Sequence, residues 1–465
     1  MRVRRIAVRN LFGIFNHEIP LNLDDHITII HGPNGFGKTV VLRLLNSFFT
    51  SQYQQLREVR FDSLTISLDD ESEVIITNAG LQEGAVEETN SIKKAANPPE
   101  GGLTMRYVPK EGKPQHFTVK RITPEGLGFP IGILDRGVPG LERVAAETWL
   151  YEPTQERLSL EEVFERFSDR LPVSGRKARE PEWLQKVKKS VSIRFIETQR
   201  LLLFGVGRRQ REFQRMYDRQ LPLVSAVSNY SDELVSAIQG KLAEYAALSQ
   251  RLDRSFPTRL VKGSLAGDLT IEELRTNLQR LEEKRTQLMA AGLLDKEGEV
   301  DLIDFQAIGE NNRNVLSVYI DDVSQKLAVF DELTLKIDLM VRIINSRFTY
   351  KKMSVSKKSG FVFHTTLDGN ELRSTGLSSG EQHELVLFYE LLFRVSPNSL
   401  ILIDEPELSL HVLWQQQFLK DLQEVIRLSE FDVLIATHSP QIINDRWDLT
   451  VELKGPVDAA VSHSQ

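Results

Sequence analysis

From Ile6 to Phe15 apolar and polar residues alternate loosely, which is the period-2 pattern of a half-buried strand, and Ile19–Leu23 repeats it over a shorter stretch. Ile27-Thr28-Ile29-Ile30 is almost wholly apolar, and beyond a glycine-containing loop Val40-Val41-Leu42-Arg43-Leu44-Leu45 reads as a helix. Leu64–Leu68 and Val74–Thr77, joined by the acidic turn Asp69-Asp70-Glu71, predict an antiparallel hairpin. Further strands are expected at Thr104–Tyr107 and His116–Arg121, with an irregular, Gly- and Pro-containing excursion over 78–102 before them. Leu160–Phe167 has a helical pattern, and Val191–Leu201 reads as a strand running into polar residues.

From about Ser231 to Asn345 the period becomes helical. Leu234, Ile238, Leu242, Tyr245 and Leu252 share one face, and Leu274, Leu278, Leu281 and Leu288 share another behind a capping box from Thr270 to Glu273. Leu316, Ile320, Val323, Leu327, Phe330, Ile337 and Ile344 fall on the steps of one heptad seam, with Asp321, Asp322, Lys326, Asp331 and Glu332 off it. Such helices reach roughly 30–50 Å at 1.5 Å per residue, which predicts a stubby arm rather than a long coiled coil. The pattern suits a packed subdomain and a surface for assembly or DNA alike. Strands return at Gly360–Thr366 before a turn signal at Leu367-Asp368-Gly369-Asn370, and a helix is expected from His383 to Phe393. Two continuous apolar runs close the pattern, Leu400–Ile403 and Leu434–Ala436, as expected of buried parallel strands.

Length and composition narrow the class. A chain of 465 residues exceeds one ordinary core and should divide into two or three lobes, while 41% apolar and 26% charged residues describe a soluble globular protein. A net charge of −7 offers no global attraction to nucleic acid, so any DNA contact needs local patches. Candidates are Arg176-Lys177-Ala178-Arg179 with Lys186, Lys188 and Lys189, which a solvated loop face explains equally well, and Arg208, Arg209, Arg211, Arg215 and Arg219. The absence of cysteine excludes disulfides, a thiol nucleophile and thiolate zinc sites. The N-terminus lacks an apolar leader and no uncharged run is long enough to span a bilayer, so a cytoplasmic protein without a membrane partner is expected.

The candidate chemistry starts at His31-Gly32-Pro33-Asn34-Gly35-Phe36-Gly37-Lys38-Thr39, set between a strand and a helix. Gly32, Gly37, Lys38 and Thr39 fit G-x-x-x-x-G-K-[ST], in which main-chain N–H groups wrap phosphates, Lys38 reaches their outer oxygens and Thr39 offers a hydroxyl to Mg²⁺. Asn34, Gly35 and Val40 complete the expected binding set, since the helix start adds its own N–H groups. Leu400–Ile403 delivers Asp404 and Glu405 at a strand end, Asp404 to hold Mg²⁺ and Glu405 to orient and partly deprotonate the attacking water. Alternation along the strand should point the two carboxylates apart. Ser378, Ser379 and Gly380 open a second helix as a serine cap with a glycine, which describes either another anion site or a plain N-cap. His438, at the end of the last apolar run, could donate a hydrogen bond to a γ-phosphate.

In order and spacing, Gly32–Thr39, Leu377–Gln382, Leu400–Glu405 and Thr437-His438-Ser439 resemble the Walker A, signature, Walker B and switch motifs of ABC-type ATPases. Asp404-Glu405-Pro406-Glu407-Leu408-Ser409-Leu410-His411 and Ala436-Thr437-His438-Ser439-Pro440 look like the OLD, RecF and SMC-like branch, which also carries a helical insertion between Walker A and the signature. The resemblance covers 1–77 and 350–445, and the interior in outline. It implies an α/β, ABC-type P-loop ATPase head assembled from both ends of the chain: an N-terminal lobe over 1–204, a helical arm over 205–347 and a C-terminal lobe over 348–465. It implies ATP and Mg²⁺, with Gln199 as the Q-loop glutamine joining Thr39 and Asp404 at the metal, and Ser409–His411 as the D-loop. It also implies a homodimer or higher homo-oligomer in which Ser378, Ser379 and Gly380 of one copy cover nucleotide held by Lys38 and Thr39 of another.

Two departures qualify the resemblance. OLD nucleases carry a Toprim domain after the switch histidine, for which the residues up to Gln465 are too few, and a cysteine-free arm excludes a zinc hook. In outline the chain resembles antiphage-defence ATPases, such as the PtuA ATPases of Septu systems with their separate HNH nuclease, and retron-associated ATPases. The expected function is therefore an ATP-hydrolysing regulatory subunit that controls a separate nuclease. A RecF- or SMC-like DNA-binding clamp in repair is the alternative, and a transporter ATPase fits least.

Overall fold

The computed structural model describes residues 1–78, 102–119, 132, 134, 138–145, 148–152, 156–167, 180–196, 202–203, 224–262, 270–294, 313–373 and 376–455. Gln199, the arginine cluster from Arg208 to Arg219, the basic run Arg176-Lys177-Ala178-Arg179 and nearly all of the 78–102 excursion lie outside these residues. The chain divides into two compact units, one formed by Met1–Thr198, Gly207–Pro222 and Val395–Gln465, the other by Gln199–Val206 and Leu223–Arg394. Residues 348–394, grouped by sequence with the C-terminal lobe, thus cluster with the helical arm.

In chain order the first unit contains β1 (Val3–Leu11), β2 (Phe15–Pro20), β3 (Ile27–His31), α1 (Lys38–Phe49), α2 (Tyr53–Glu58), β4 (Ser63–Leu68), β5 (Glu73–Asn78), β6 (Leu103–Val108) and β7 (Gln115–Val119). It continues with β8 (Leu141–Ala145), β9 (Thr148–Tyr151), β10 (Glu156–Ser159), α3 (Leu160–Phe167), α4 (Glu182–Ser190) and β11 (Ile193–Ile196). The second unit holds β12 (Leu202–Leu203), β13 (Val224–Ser225), α5 (Ala226–Lys262), α6 (Ile271–Ala290), α7 (Arg313–Ala328), α8 (Asp331–Arg347), β14 (Lys351–Ser356), β15 (Gly360–Thr365), β16 (Glu371–Leu372) and α9 (Ser379–Phe393). The chain then re-enters the first unit with β17 (Leu400–Asp404), α10 (Val412–Ser429), β18 (Asp432–Ala436), α11 (Pro440–Ile443) and β19 (Thr450–Glu452).

The apolar runs pair as parallel strands in the order β11-β17-β18-β3-β19. Only β3 comes from the N-terminal end, between two strands from the far end of the chain, so the sheet is assembled from both ends as the resemblance implied. Arg2 reinforces the junction: its Nε donates to Asp432 Oδ2 at 2.7 Å and its Nη2 to Asp432 Oδ1. A second, antiparallel sheet runs β2-β1-β4-β5-β6-β7, with Ile6 opposite both Ile19 and Ile66. Helix α1 carries Val41, Leu42, Leu44, Leu45, Phe48 and Phe49 into one core shared with Ile6, Leu64, Ile76, Leu402 and Leu434. Each such side chain, fully buried, contributes about 1.5–3 kcal/mol relative to exposure. A smaller core around Trp149 joins β8–β10 to α3.

In the second unit α5 runs for 37 residues, about 55 Å at 1.5 Å per residue, slightly longer than expected. Leu234, Ile238 and Leu252 are buried along it. The capping box is formed as read: Thr270 Oγ1 accepts from Glu273 N at 3.3 Å and Glu273 Oε2 accepts from Thr270 N at 2.7 Å. The single heptad seam is corrected to two helices, because the chain turns at Val329-Phe330 and Phe330 becomes the N-cap of α8, its ring fully buried. Burial of that ring at a turn serves the core without a continuous helix. Between α8 and α9, Arg347 pairs with Glu384, both almost wholly buried, with the guanidinium 5.2 Å from the Phe388 ring centroid. The turn at Leu367–Asn370 does connect β15 to β16, with Gly369 at φ +69°. Among the described residues no helix is long and apolar enough to cross a membrane.

Candidate nucleotide-binding site

Three strands of the parallel sheet end together. Ile30 pairs with Ala436 and Ala436 with Asp404, so the loops after β3, β17 and β18 leave the same edge, where α/β sheets of this type bind ligands. After β3 the chain turns through Pro33, Asn34 and Gly35, all exposed, into α1. Gly37, the N-cap, has φ +84°, and a Cβ on it would lie 2.6 Å from Leu11 Cδ2. Left-handed backbone and close contact both require glycine there. Val41 N donates to Gly37 O at 2.9 Å as the first helical bond, so the N–H groups of Lys38, Thr39 and Val40 have no intrahelical acceptor and add to the positive end of the helix dipole. Lys38 is buried and arches back over the turn, its Nζ donating to Gly32 O at 2.8 Å and Pro33 O at 3.1 Å.

Thr39 joins this loop to the acidic strand end, its Oγ1 donating to Asp404 Oδ1 at 2.9 Å. Burial pushes the Asp404 carboxyl above the usual range; the Thr39 hydroxyl opposes that and the charge of Glu405 adds to it. Glu405 takes a left-handed conformation (φ 41°), with its N–H donating to Ala436 O at 2.8 Å. This left-handed turn at the strand end stores strain of roughly 1–3 kcal/mol. Glu405 Oε1 lies 3.6 Å from Nδ1 of His438, whose side chain is 44% exposed.

The sequence reading missed what sits beneath these groups. Glu407 is buried, and its Oε1 accepts from Thr437 Oγ1 at 2.6 Å and from His438 N at 3.0 Å. Gln415 accepts from Ser439 Oγ at 2.9 Å and donates to the carbonyls of Leu410 (3.1 Å) and Glu407 (3.3 Å). His17, buried on β2 and stacked on Phe15, has its Nε2 at 2.8 Å from Phe36 O, which braces the glycine loop. Nothing in the spacing of these residues pairs them with their partners. Only the mixture of Glu407 with apolar neighbours in Pro406–Leu410 hinted at burial.

Of the remaining candidates, Ser378 is the N-cap of α9: its Oγ accepts from Glu381 N at 3.3 Å, while Glu381 Oε2 accepts from Ser378 N at 2.6 Å and from Lys351 Nζ at 2.7 Å. Its side chain is committed to the cap, with Ser379 exposed in the first turn and Gly380 beside it. These residues belong to the second unit, Lys38, Thr39, Asp404, Glu405 and His438 to the first. Lys188, placed by sequence in a basic patch, is instead buried against Glu180 at 2.7 Å.

The residues suit a nucleotide with its cation. A left-handed glycine turn ahead of a helix N-terminus cradles anions, and one hydroxyl with one carboxylate is the donor set of an ion that keeps waters and phosphate oxygens. No curated protein matches the chain. Two solved structures overlay loosely along its length. The Smc head domain with an extended coiled coil bound to the C-terminal domain of ScpA, from Pyrococcus furiosus, is 10% identical with 98% of this chain and 94% of that one covered and a TM-score of 0.33. The SMC head domain from Thermotoga maritima is 10% identical with 95% and 91% covered and a TM-score of 0.29. A family described as "AAA domain, putative AbiEii toxin, Type IV TA system" matches residues 231–444. A second, described as "AAA domain", matches residues 5–291, more than half of the chain. With its P-loop set between β3 and α1, the chain belongs to the AAA domain family.

Proposed function

We propose that the protein binds ATP with Mg²⁺ at the loop between β3 and α1, hydrolyses it, and through that cycle regulates a separate nuclease in bacterial antiphage defence. The contact between Thr39 and Asp404 carries the first part, because it brings the anion-binding helix start and the acidic strand end to one place. Lys38 and the first N–H groups of α1 bind the phosphates, and Thr39 and Asp404 hold the cation, joined by Gln199 as the resemblance implies. Bound Mg²⁺ supplies neutralisation of charge developing on the phosphate oxygens. Glu405 orients a water and accepts its proton as the water oxygen bonds to the terminal phosphorus and the bond to the leaving diphosphate breaks. His438 donates to the terminal phosphate. Ser379 and Gly380 of a second copy complete the site, so that ATP favours the assembled state through its differential affinity.

The defence setting draws on the AbiEii description of the partial family match and on the resemblance to Septu and retron ATPases. The catalytic assignment is tested with purified full-length chain. Glu405→Gln is expected to retain nucleotide binding and lose about 10²–10⁴-fold in turnover. Turnover at the wild-type rate in that variant would sink the assignment. Co-purification from the native operon tests the setting: a nuclease subunit in the complex supports it, whereas a chain that dimerises alone with ATP and retains DNA in a salt-sensitive manner favours the repair clamp.

A further inference from the structure

Glu407 lies outside the roles assigned above, yet its buried carboxylate joins the turn after β17 to the loop after β18. Its Oε1 accepts from two donors of the loop after β18, Thr437 Oγ1 at 2.6 Å and His438 N at 3.0 Å, and lies 3.2 Å from His438 Nδ1. The carboxylate side chain is 5% exposed, and its Oε2 is buried with no hydrogen-bond partner among the described residues. The unpaired, buried Oε2 carries a desolvation cost, while the paired oxygen satisfies Thr437 Oγ1 and His438 N, which an apolar residue in its place would leave without an acceptor. Two donors and a nearby ring nitrogen on one oxygen suit a carboxylate, which only accepts.

We propose that Glu407 is a positioning residue that fixes the ring orientation and tautomer of His438. The Glu407 carboxylate, at 3.2 Å the nearer of two carboxylates facing Nδ1 with Glu405 at 3.6 Å, favours the proton on that nitrogen and leaves Nε2 as the ring atom available to a ligand. The bonds to Thr437 Oγ1 and His438 N hold the backbone at the same point, and Ser439 Oγ donates to Gln415 Oε1 of α10, whose Nε2 in turn donates to the Glu407 carbonyl. The turn carrying Glu407 directly follows Glu405, so the hydrolytic carboxylate and the histidine are set by one rigid connection. A ligand group that displaces His438 acts on the turn beside Glu405 as well.

This inference rests on the nucleotide-hydrolysis reading, but one of its tests does not. Full-length chain with ¹⁵N-labelled histidine is compared by NMR for wild type, Glu407→Ala and Glu407→Gln, with His438 assigned by His438→Ala. The wild-type ring is expected as the Nδ1–H tautomer, Glu407→Ala should shift it toward Nε2–H, and Glu407→Gln should retain it in part because its oxygen still accepts. An unchanged tautomer in Glu407→Ala overturns the proposal whether or not the protein hydrolyses ATP. Turnover supplies the second test. Glu407→Ala should lower kcat at least 10-fold with ADP affinity unchanged, and should lower it no further in the His438→Ala background. Equal losses in both backgrounds would show that Glu407 acts independently of His438. A wild-type chain that fails to hydrolyse ATP while showing the expected tautomer would refute the hydrolysis reading and leave the positioning role standing.

Discussion

His17 carries a consequence that can be worked out from its surroundings. Burial lowers its tendency to take a proton below the ordinary imidazole value, against the opposing pull of the Phe36 carbonyl. In the unfolded chain the ring titrates near pH 6.5. The folded state therefore binds fewer protons as pH falls through that range, so the stabilisation present above it is lost on acidification toward the lower folded value. Replacing His17 with Gln should flatten that part of the stability-versus-pH curve, measured by urea unfolding between pH 5 and 8. An unchanged slope in the variant would assign the dependence to other groups. Gly37 gives a sharper expectation. Gly37→Ala must place a Cβ against Leu11 in a left-handed backbone, so nucleotide binding measured by calorimetry should be lost while the rest of the sheet persists.

At the scale of elements, α4 is pinned to the far end of the P-loop helix by a buried charge. Lys188 Nζ donates to Glu180 Oε1 at 2.7 Å, Tyr53 Oη at 2.6 Å and Ser51 Oγ at 2.8 Å, and lies over the rings of Phe48 and Tyr53. Burial lowers the lysine's pKa and pushes the glutamate's up, and the hydrogen bonds from Lys188 and Tyr53 bring the glutamate net below its usual range. Lys188→Met alone leaves the carboxylate without its cation and should destabilise the first unit by about 3–5 kcal/mol. Adding Glu180→Gln should recover much of that in the same denaturation experiment; no recovery would mean that packing of the lysine stem carries the effect. The capping box of α6 is a milder case, in which Thr270→Ala should cost about 1 kcal/mol in the second unit.

For the whole molecule, the decisive fact is that β3 lies between β18 and β19. A fragment ending at residue 198 keeps the antiparallel sheet but loses both parallel neighbours of β3 and leaves the Ile29 and Ile30 backbone as open edges. Expressed alone it should aggregate or fail to unfold cooperatively. Co-expression with residues 395–465 should rescue soluble, associated material, read by size-exclusion chromatography. A soluble, cooperative fragment on its own would mean that the core around α1 needs no contribution from the C-terminal strands.

Much of this protein follows from interactions that span only a few residues, and these were legible in the sequence. The glycine turn before Lys38, the apolar runs at Ile27, Leu400 and Leu434, and the caps at Thr270 and Ser378 each depend on neighbours close in the chain. Where the deciding partner was distant, the tertiary structure alone settled the outcome. The strand order, the pairing of Arg2 with Asp432, the burial of Lys188 among Glu180, Tyr53 and Ser51, and the attachment of Glu407 to the Thr437–Ser439 loop all join segments that local pattern cannot bring together. The turn at Phe330 belongs with these, since the heptad spacing runs through it unbroken although the chain turns there and buries the ring. Periodicity states which side chains seek a core, but which surface meets them is decided only when the chain closes on itself and charged groups must find partners in the interior.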